Sequence, residues 1–423
     1  MAPKQEIVIT GTGVASPIGI ETEDFWASLS EGRSGVGRLE CYGDLYDRDA
    51  AVPVGASIDD FDPKQYVRPR KSLKVMSRDI QLAFTAADLA CAEAGFHDRA
   101  IDPERLGIVF GSELIACELS ELVDVYRGCI TDGKFNFDRW GETAMAEMYP
   151  LWMLKYLPNM PACHIGIAQD ARGPNNSLTL GDVSSLSAVA EAVRVIERNA
   201  ADAMIAGGGG THINPTFWAR YRTFGMSERY DNPAGACRPF DADRDGMVGG
   251  EGAGAFVLET RRHAEARGAA VLASILGYAS TFEPIRNGQP LRGDAIRHAI
   301  TGALADAGLE PADIGHVNAH GAGTIHGDRI EAAAIRDTLG DVPVTAPKSF
   351  FGHLGAGSGA VEMAVSVLAI GRGQVPHTLN YETPDPACPV NVIRDRPMKI
   401  EKPTAMLLNH TPFGQAMAIV ISK

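Results

Sequence analysis

Basic side chains are in short supply in this chain of 423 residues: 39 Lys and Arg stand against 53 Asp and Glu, a formal charge of −14. Neutralising a phosphate backbone takes a surplus of cations, so no nucleic-acid partner is expected. Paired cysteines are missing too. The seven, at positions 41, 91, 117, 129, 163, 237 and 388, are odd in number and include no C-x-x-C pair. That excludes a disulfide framework and a zinc site as expectations and suits a reducing compartment; no metal is expected. The first residues lack the apolar stretch and cleavage motif of a signal peptide. Long apolar runs are absent as well: residues 363–370 are interrupted by Ser366 and are too short to cross a bilayer. These absences together predict a cytoplasmic protein with no membrane contact.

What is present is the composition of a folded core, with 45% hydrophobic and 22% charged residues. Short β-branched runs alternate with amphipathic helical patterns along the whole length, which predicts an α/β fold. Buried strands are expected at 7–10, 106–110, 203–207 and 255–259. Apolar residues spaced by three and four predict helices over 80–94, 186–198, 293–307 and 360–371. A charged stretch near 259–268 divides the chain into halves, 1–259 and 260–423. Each half contains a strand running into a glycine-rich turn, 7–10 in one and 314–318 in the other, which points to an internal duplication.

Two segments imitate ligand sites. Gly11-Thr12-Gly13-Val14-Ala15-Ser16 begins like a dinucleotide fingerprint, but Ser16 stands for the third glycine and Pro17 follows. Asp241-Ala242-Asp243-Arg244-Asp245-Gly246 begins like an EF-hand loop, yet its twelfth position is Gly252 and no helix pattern follows. A turn held by carboxylate-to-backbone hydrogen bonds is the expectation there. Three other segments suit chemistry better. His320 in Val317-Asn318-Ala319-His320-Gly321 and His353 in Gly352-His353-Leu354-Gly355, five residues after Lys348, each lie in a glycine-rich turn. Asp182 precedes the helix over 186–198, where an N-terminal cap is expected to meet free amides and the positive end of the helix dipole.

Five motifs in order carry a resemblance across nearly the whole chain. They are V-I-T-G-x-G-x-x-S-P-x-G at the start, R-P-F-D-x-x-R-D-G-x-x-x-G-E-G-A-G from Arg238, N-A-H-G-x-G-T from Asn318, K-S-x-x-G-H-x-G-A from Lys348, and the stretch from Asn409 to Val420. The sequence resembles the elongating β-ketoacyl-acyl carrier protein synthases, thiolase-superfamily enzymes of fatty acid and polyketide biosynthesis. The resemblance implies the thiolase fold, with duplicated halves in a five-layer αβαβα arrangement. It assigns His320 and His353 to malonyl thioester decarboxylation and Lys348 to ordering that site. Glu362, Thr324 and Phe413 fall on the substrate side, the Phe413 amide completing an oxyanion hole. Arg68, Arg70, Lys71 and Lys74 correspond to a region that meets an acyl carrier protein. A homodimer is implied, with a heterodimer with a second ketosynthase as the other possibility. No cofactor is implied, since phosphopantetheine arrives on the carrier.

The aligned nucleophile turn is Leu180-Gly181-Asp182-Val183-Ser184, so Asp182 stands where the family has its cysteine, and none of the seven cysteines replaces it by motif. A thiolate yields a thioester close in energy to the substrate, whereas a carboxylate would form a less stable mixed anhydride. A helix dipole would make that carboxylate less basic still. Ala322, Thr411, Pro412 and Gln415 depart from the family pattern in the same region. The expectation is a ketosynthase-like, acyltransferase-family protein that decarboxylates malonyl thioesters with His320 and His353 rather than condensing them. The alternatives are a non-catalytic, chain-length-factor-like partner of a cysteine-bearing ketosynthase, and acyl transfer or hydrolysis with Asp182 as base.

Overall fold

The computed structural model describes residues 5–39, 53–96, 101–221, 225–285 and 288–423; Cys41 lies outside them. Fourteen strands of the described residues join into one mixed sheet, and their order displays a duplication. In the first half the strands, in chain order, are Ile7–Ser16, Leu106–Gly111, Asn175–Leu178, Ala203–Thr211 and Gly249–Thr260. They lie side by side as first, fifth, fourth, second, third. The second half repeats that order with Ala273–Phe282, His316–Asn318, Pro343–Thr345, Thr404–His410 and Gln415–Ser422. Strand directions repeat too: in each half the second strand runs parallel to the third and fourth, and the fifth runs antiparallel to the fourth and first. Antiparallel pairing of residues 7–9 with 273–275 joins the halves.

This order corrects one expectation. The counterpart of Ile7–Ser16 is Ala273–Phe282, and His316–Asn318 corresponds instead to Leu106–Gly111. Glycines gather wherever backbones approach closely, so a shared glycine turn did not identify equivalent strands. Pairing does.

Side chains alternate along each strand, and both faces are covered. Met204 and Ala206 point toward Leu186, Val189 and Val193 of the helix Ser184–Glu197, while Ala203 and Ile205 join Ala83 and Ala87 of the helix Arg78–Glu93. In the second half, Leu407 and Ile419 belong to the central cluster, and Met406, Leu408 and Val420 to the one containing the helices Asp294–Ala307 and Ile325–Leu339. The helices Ser184–Glu197 and Ser358–Arg372 fill the middle. The layers are therefore αβαβα, the thiolase fold. Fully burying one such Leu or Ile contributes about 1.5–3 kcal/mol, which explains why these strands tolerate no polar face.

The four expected helices form at Arg78–Glu93, Ser184–Glu197, Asp294–Ala307 and Ser358–Arg372. Gly13 lies inside a strand, where a Cβ would sit 2.0 Å from the carbonyl oxygen of Ala86, so the glycine admits a helix rather than a phosphate. Asp241 accepts the amides of Asp243, Glu382 and Thr383 at 2.9, 2.7 and 2.7 Å, the turn expected there. Both central helices are preceded by 3-10 turns, Gly181–Val183 and Gly355–Gly357, and these touch each other. Their contact brings Asp182 and His353 to one place.

Candidate active site

Asp182 occupies the 3-10 turn Gly181–Val183 and does not cap the following helix. Val183 holds the cap position without a side-chain bond, and the turn is closed by Ser184, whose hydroxyl accepts the Leu180 amide at 2.8 Å. The extra turn moves Asp182 off the helix end and aims its carboxylate at His353, with Oδ1 3.4 Å from Nε2. Burial then dominates. It pushes the Asp182 carboxyl up to about 6, with Glu113 also raising it and His212, Lys348 and His410 pulling it down. The expected lowering by a helix dipole is thus overturned.

His320 is held by carboxylates that sequence reasoning missed. Glu331, on the helix Ile325–Leu339, accepts the amides of His320 and Gly321 at 2.7 and 2.9 Å, and Asp328 accepts that of Gly323 at 3.0 Å. Lys348 is fully buried, and its ammonium has three acceptors: the Glu362 carboxylate, the carbonyl oxygen of His320 at 2.7 Å and Nδ1 of His320 at 3.1 Å. Asn409 donates to the other oxygen of Glu362 at 2.7 Å. Glu362 therefore stands behind Lys348 rather than against a substrate.

His353 is fed from behind in the same way. Its Nδ1 accepts the Gly355 amide at 3.3 Å and lies 3.2 Å from Nδ1 of His212, whose Nε2 is 2.7 Å from Oε1 of Glu113. Gly355 has φ +55, and a Cβ there would lie 1.9 Å from Oε1 of Glu113, so only glycine leaves room for this pair. With N–H groups directed at both Nδ1 atoms, His320 and His353 carry their hydrogens on Nε2. Burial, first, and then neighbouring positive groups hold both imidazoles well below the usual histidine range, so both are neutral. Asp182, His320 and His353 offer atoms within 4.8 Å of one another, close enough for a metal ion. Metal ligation needs nitrogen lone pairs, and here the outer nitrogens present hydrogens. The arrangement is built to receive an oxygen that gains negative charge.

Two cavities meet at Asp182. One, of about 470 Å3, contains His320, His353 and Thr324, with Ile325, Leu291 and Ile330 on its apolar side. The other, of about 320 Å3, contains Glu113, His212, Arg220, Gln415 and Phe413. Phe413 is more than half exposed, and its amide is engaged: the Thr411 hydroxyl accepts the Phe413 and Gln415 amides, both at 3.3 Å. Pro412 supplies no hydrogen between them. Neither cavity is lined by a cysteine among the described residues, and burial raises the Cys237 thiol to about 12. Arg68, Arg70, Lys71 and Lys74 are exposed on and beside the 3-10 helix Arg70–Val75. They lie apart from the histidine cluster, and neither cavity includes them.

A thiolase fold with two histidines and a lysine converging in front of its central helices defines a condensing-enzyme scaffold. The chain belongs to the β-ketoacyl synthase family. The family's N-terminal domain ("Beta-ketoacyl synthase, N-terminal domain") matches residues 4–264, and its C-terminal domain matches residues 272–382. It is 33% identical to the 3-oxoacyl-[acyl-carrier-protein] synthase 2 of Synechocystis sp. (strain ATCC 27184 / PCC 6803 / Kazusa), over 92% of this chain and 91% of that one. A β-ketoacyl synthase structure from Burkholderia phymatum STM815 superposes with a TM-score of 0.88 at 29% identity, covering 99% of each chain. A type II polyketide ketosynthase solved with its acyl carrier protein, AntDE:AntF, superposes at 0.84 with 26% identity and 99% coverage of each. No helix among the described residues is long and apolar enough to cross a membrane.

Proposed function

We propose that the protein decarboxylates malonyl thioesters presented by an acyl carrier protein and does not perform ordinary condensation. One observation carries this reading: the Nδ1 atoms of His320 and His353 are both occupied by donors, so both Nε2 hydrogens serve the cavity between them. When carbon dioxide leaves, the thioester carbonyl oxygen becomes an enolate oxygen. Two fixed, neutral N–H donors stabilise that charge without having to reorganise. The engagement of the Phe413 amide by Thr411 argues in the same direction, since an acyl-transfer oxyanion needs that donor.

An ionised Asp182 would repel the malonyl carboxylate. Its raised carboxyl lessens the objection, because protonating a group of pKa about 6 at pH 7 costs only about 1.4 kcal/mol. The carrier is the natural source of the thioester, as in the similar ketosynthase solved with one. Arg70, Lys71 and Lys74, which have no ion-pair partner among the described residues, supply a positive surface for an acidic carrier. Pairing with a second ketosynthase-like chain is part of the proposal: Tyr126 and Phe137, joined through Trp140, are exposed apolar side chains that suit a subunit contact.

The test is carbon dioxide release from malonyl-carrier protein. Release by the wild type that is lost in both His320→Ala and His353→Ala is the expected outcome; a wild type that releases none rejects the reading.

A further inference from the structure

Decarboxylation leaves a carbon that must take up one proton per turnover, and neither histidine is placed to give it, because each holds its hydrogen toward the enolate oxygen. We propose that Asp182 is the acid that protonates this carbon. The assignment rests on the decarboxylation reading and adds a catalytic role to the residue that stands in place of a nucleophile.

The geometry favours it. A carboxylate oxygen of Asp182 and ring nitrogens of His320 and His353 lie within 4.8 Å of one another. An enolate oxygen held at about 2.8 Å from both histidines has its α carbon two bonds away. The third corner of that triangle is Asp182, its Oδ1 3.4 Å from Nε2 of His353 and within reach of a carbon held there. Asp182 also lies, with Thr411 and Pro412, between the thioester cavity and the cavity of Glu113, His212 and Arg220, and is the one acid among the three. It can give a proton to one side and regain it from water on the other.

The charges around it keep a proton available near neutrality. His353, His212 and Glu113 face it in a chain of contacts, with His320 and His410 lining the thioester cavity, Lys348 behind His320, and Arg220 in the other cavity. Burial outweighs the positive members of this set and holds the carboxyl at about 6, so about one Asp182 in ten carries its proton at pH 7.

The step balances. The bond to the departing carboxylate breaks, and its electron pair passes through the α carbon into the thioester carbonyl, giving carbon dioxide and the enolate. The pair returns to form a C–H bond with the hydrogen of Asp182, and the carboxylate regains a proton from water. Malonyl thioester plus one proton becomes acetyl thioester plus carbon dioxide.

The experiment measures acetyl-carrier formation and carbon dioxide release from malonyl-carrier protein between pH 5 and 9, for wild type, Asp182→Asn and Asp182→Glu. Wild-type turnover should fall about tenfold per pH unit above about 6. Asp182→Asn should lose about a hundredfold at pH 6 and show no such slope, as for removal of a general acid. Asp182→Glu, which keeps an acid, should be slower yet retain the slope, and a melting curve of each variant shows that it folds. A slope that persists in Asp182→Asn overturns the role of Asp182 and leaves decarboxylation standing. Absence of carbon dioxide from the wild type at every pH defeats decarboxylation itself.

Discussion

Replacing Asp182 with asparagine measures what burying this carboxylate costs the fold. The side chain is only 13% exposed, so water does little to screen it. Its carboxyl rises from the ordinary 3.8 to about 6. At about 1.4 kcal/mol per pH unit, the ionised form destabilises the native state by roughly 3 kcal/mol. The sign follows from proton binding. Between about pH 4 and pH 6 the folded chain binds the proton more tightly than the unfolded one, so stability falls as pH rises through that window. The penalty is complete above about pH 7 and absent below about pH 4. Asparagine is close to the same size and carries no charge, so Asp182→Asn should be the more stable protein at neutral pH. An unfolding entropy of roughly 2 cal/mol/K per residue makes 3 kcal/mol worth about 3 °C for a chain of this length. Melting curves at pH 5, 6, 7 and 8 should show the variant's advantage growing to about 3 °C. An advantage that is constant with pH, or a less stable variant at pH 8, refutes the argument that burial sets this carboxyl.

Two further outcomes follow from the site. Glu362→Gln leaves the fully buried ammonium of Lys348 without its counter-charge and should cost about 3–5 kcal/mol, read as a fall of several degrees in melting temperature; an unchanged melt refutes the pairing. Asp182→Cys alone should not gain condensation in an acyl-carrier assay, because the Thr411 hydroxyl still accepts the Phe413 amide. The double variant Asp182→Cys, Thr411→Ala should exceed it, and equal rates would show that the amide is not the obstacle.

The elements most legible in the sequence were those with strong periodicity and complete burial. The helix Ser184–Glu197 and the strand Ala203–Thr211 could be placed because, beyond Ser184 and Ser185 in the helix's first turn, their buried positions are apolar or glycine. Equivalence between the halves was hidden, since glycines at 314–318 and 7–13 look alike while serving different contacts. His320, His353 and Lys348 were recognisable by motif. Glu331, Glu113 and His212 carried no such signal. They lie 11, 240 and 141 positions from the histidines they support, and nothing in a carboxylate's neighbours along the chain tells which distant amide or imidazole it will meet.

The sequence by itself determined the α/β class, through short buried runs alternating with patterns of period 3.6, and through its family motifs it implied the layered fold and a carboxylate before the central helix. Only the tertiary structure decided what that carboxylate is. A short 3-10 turn removed Asp182 from the helix end, where the dipole would have kept it ionised, and set it beside a neutral imidazole in a buried pocket. Desolvation then outweighed its positive neighbours, because solvation is lost according to what surrounds a group in space and not along the chain.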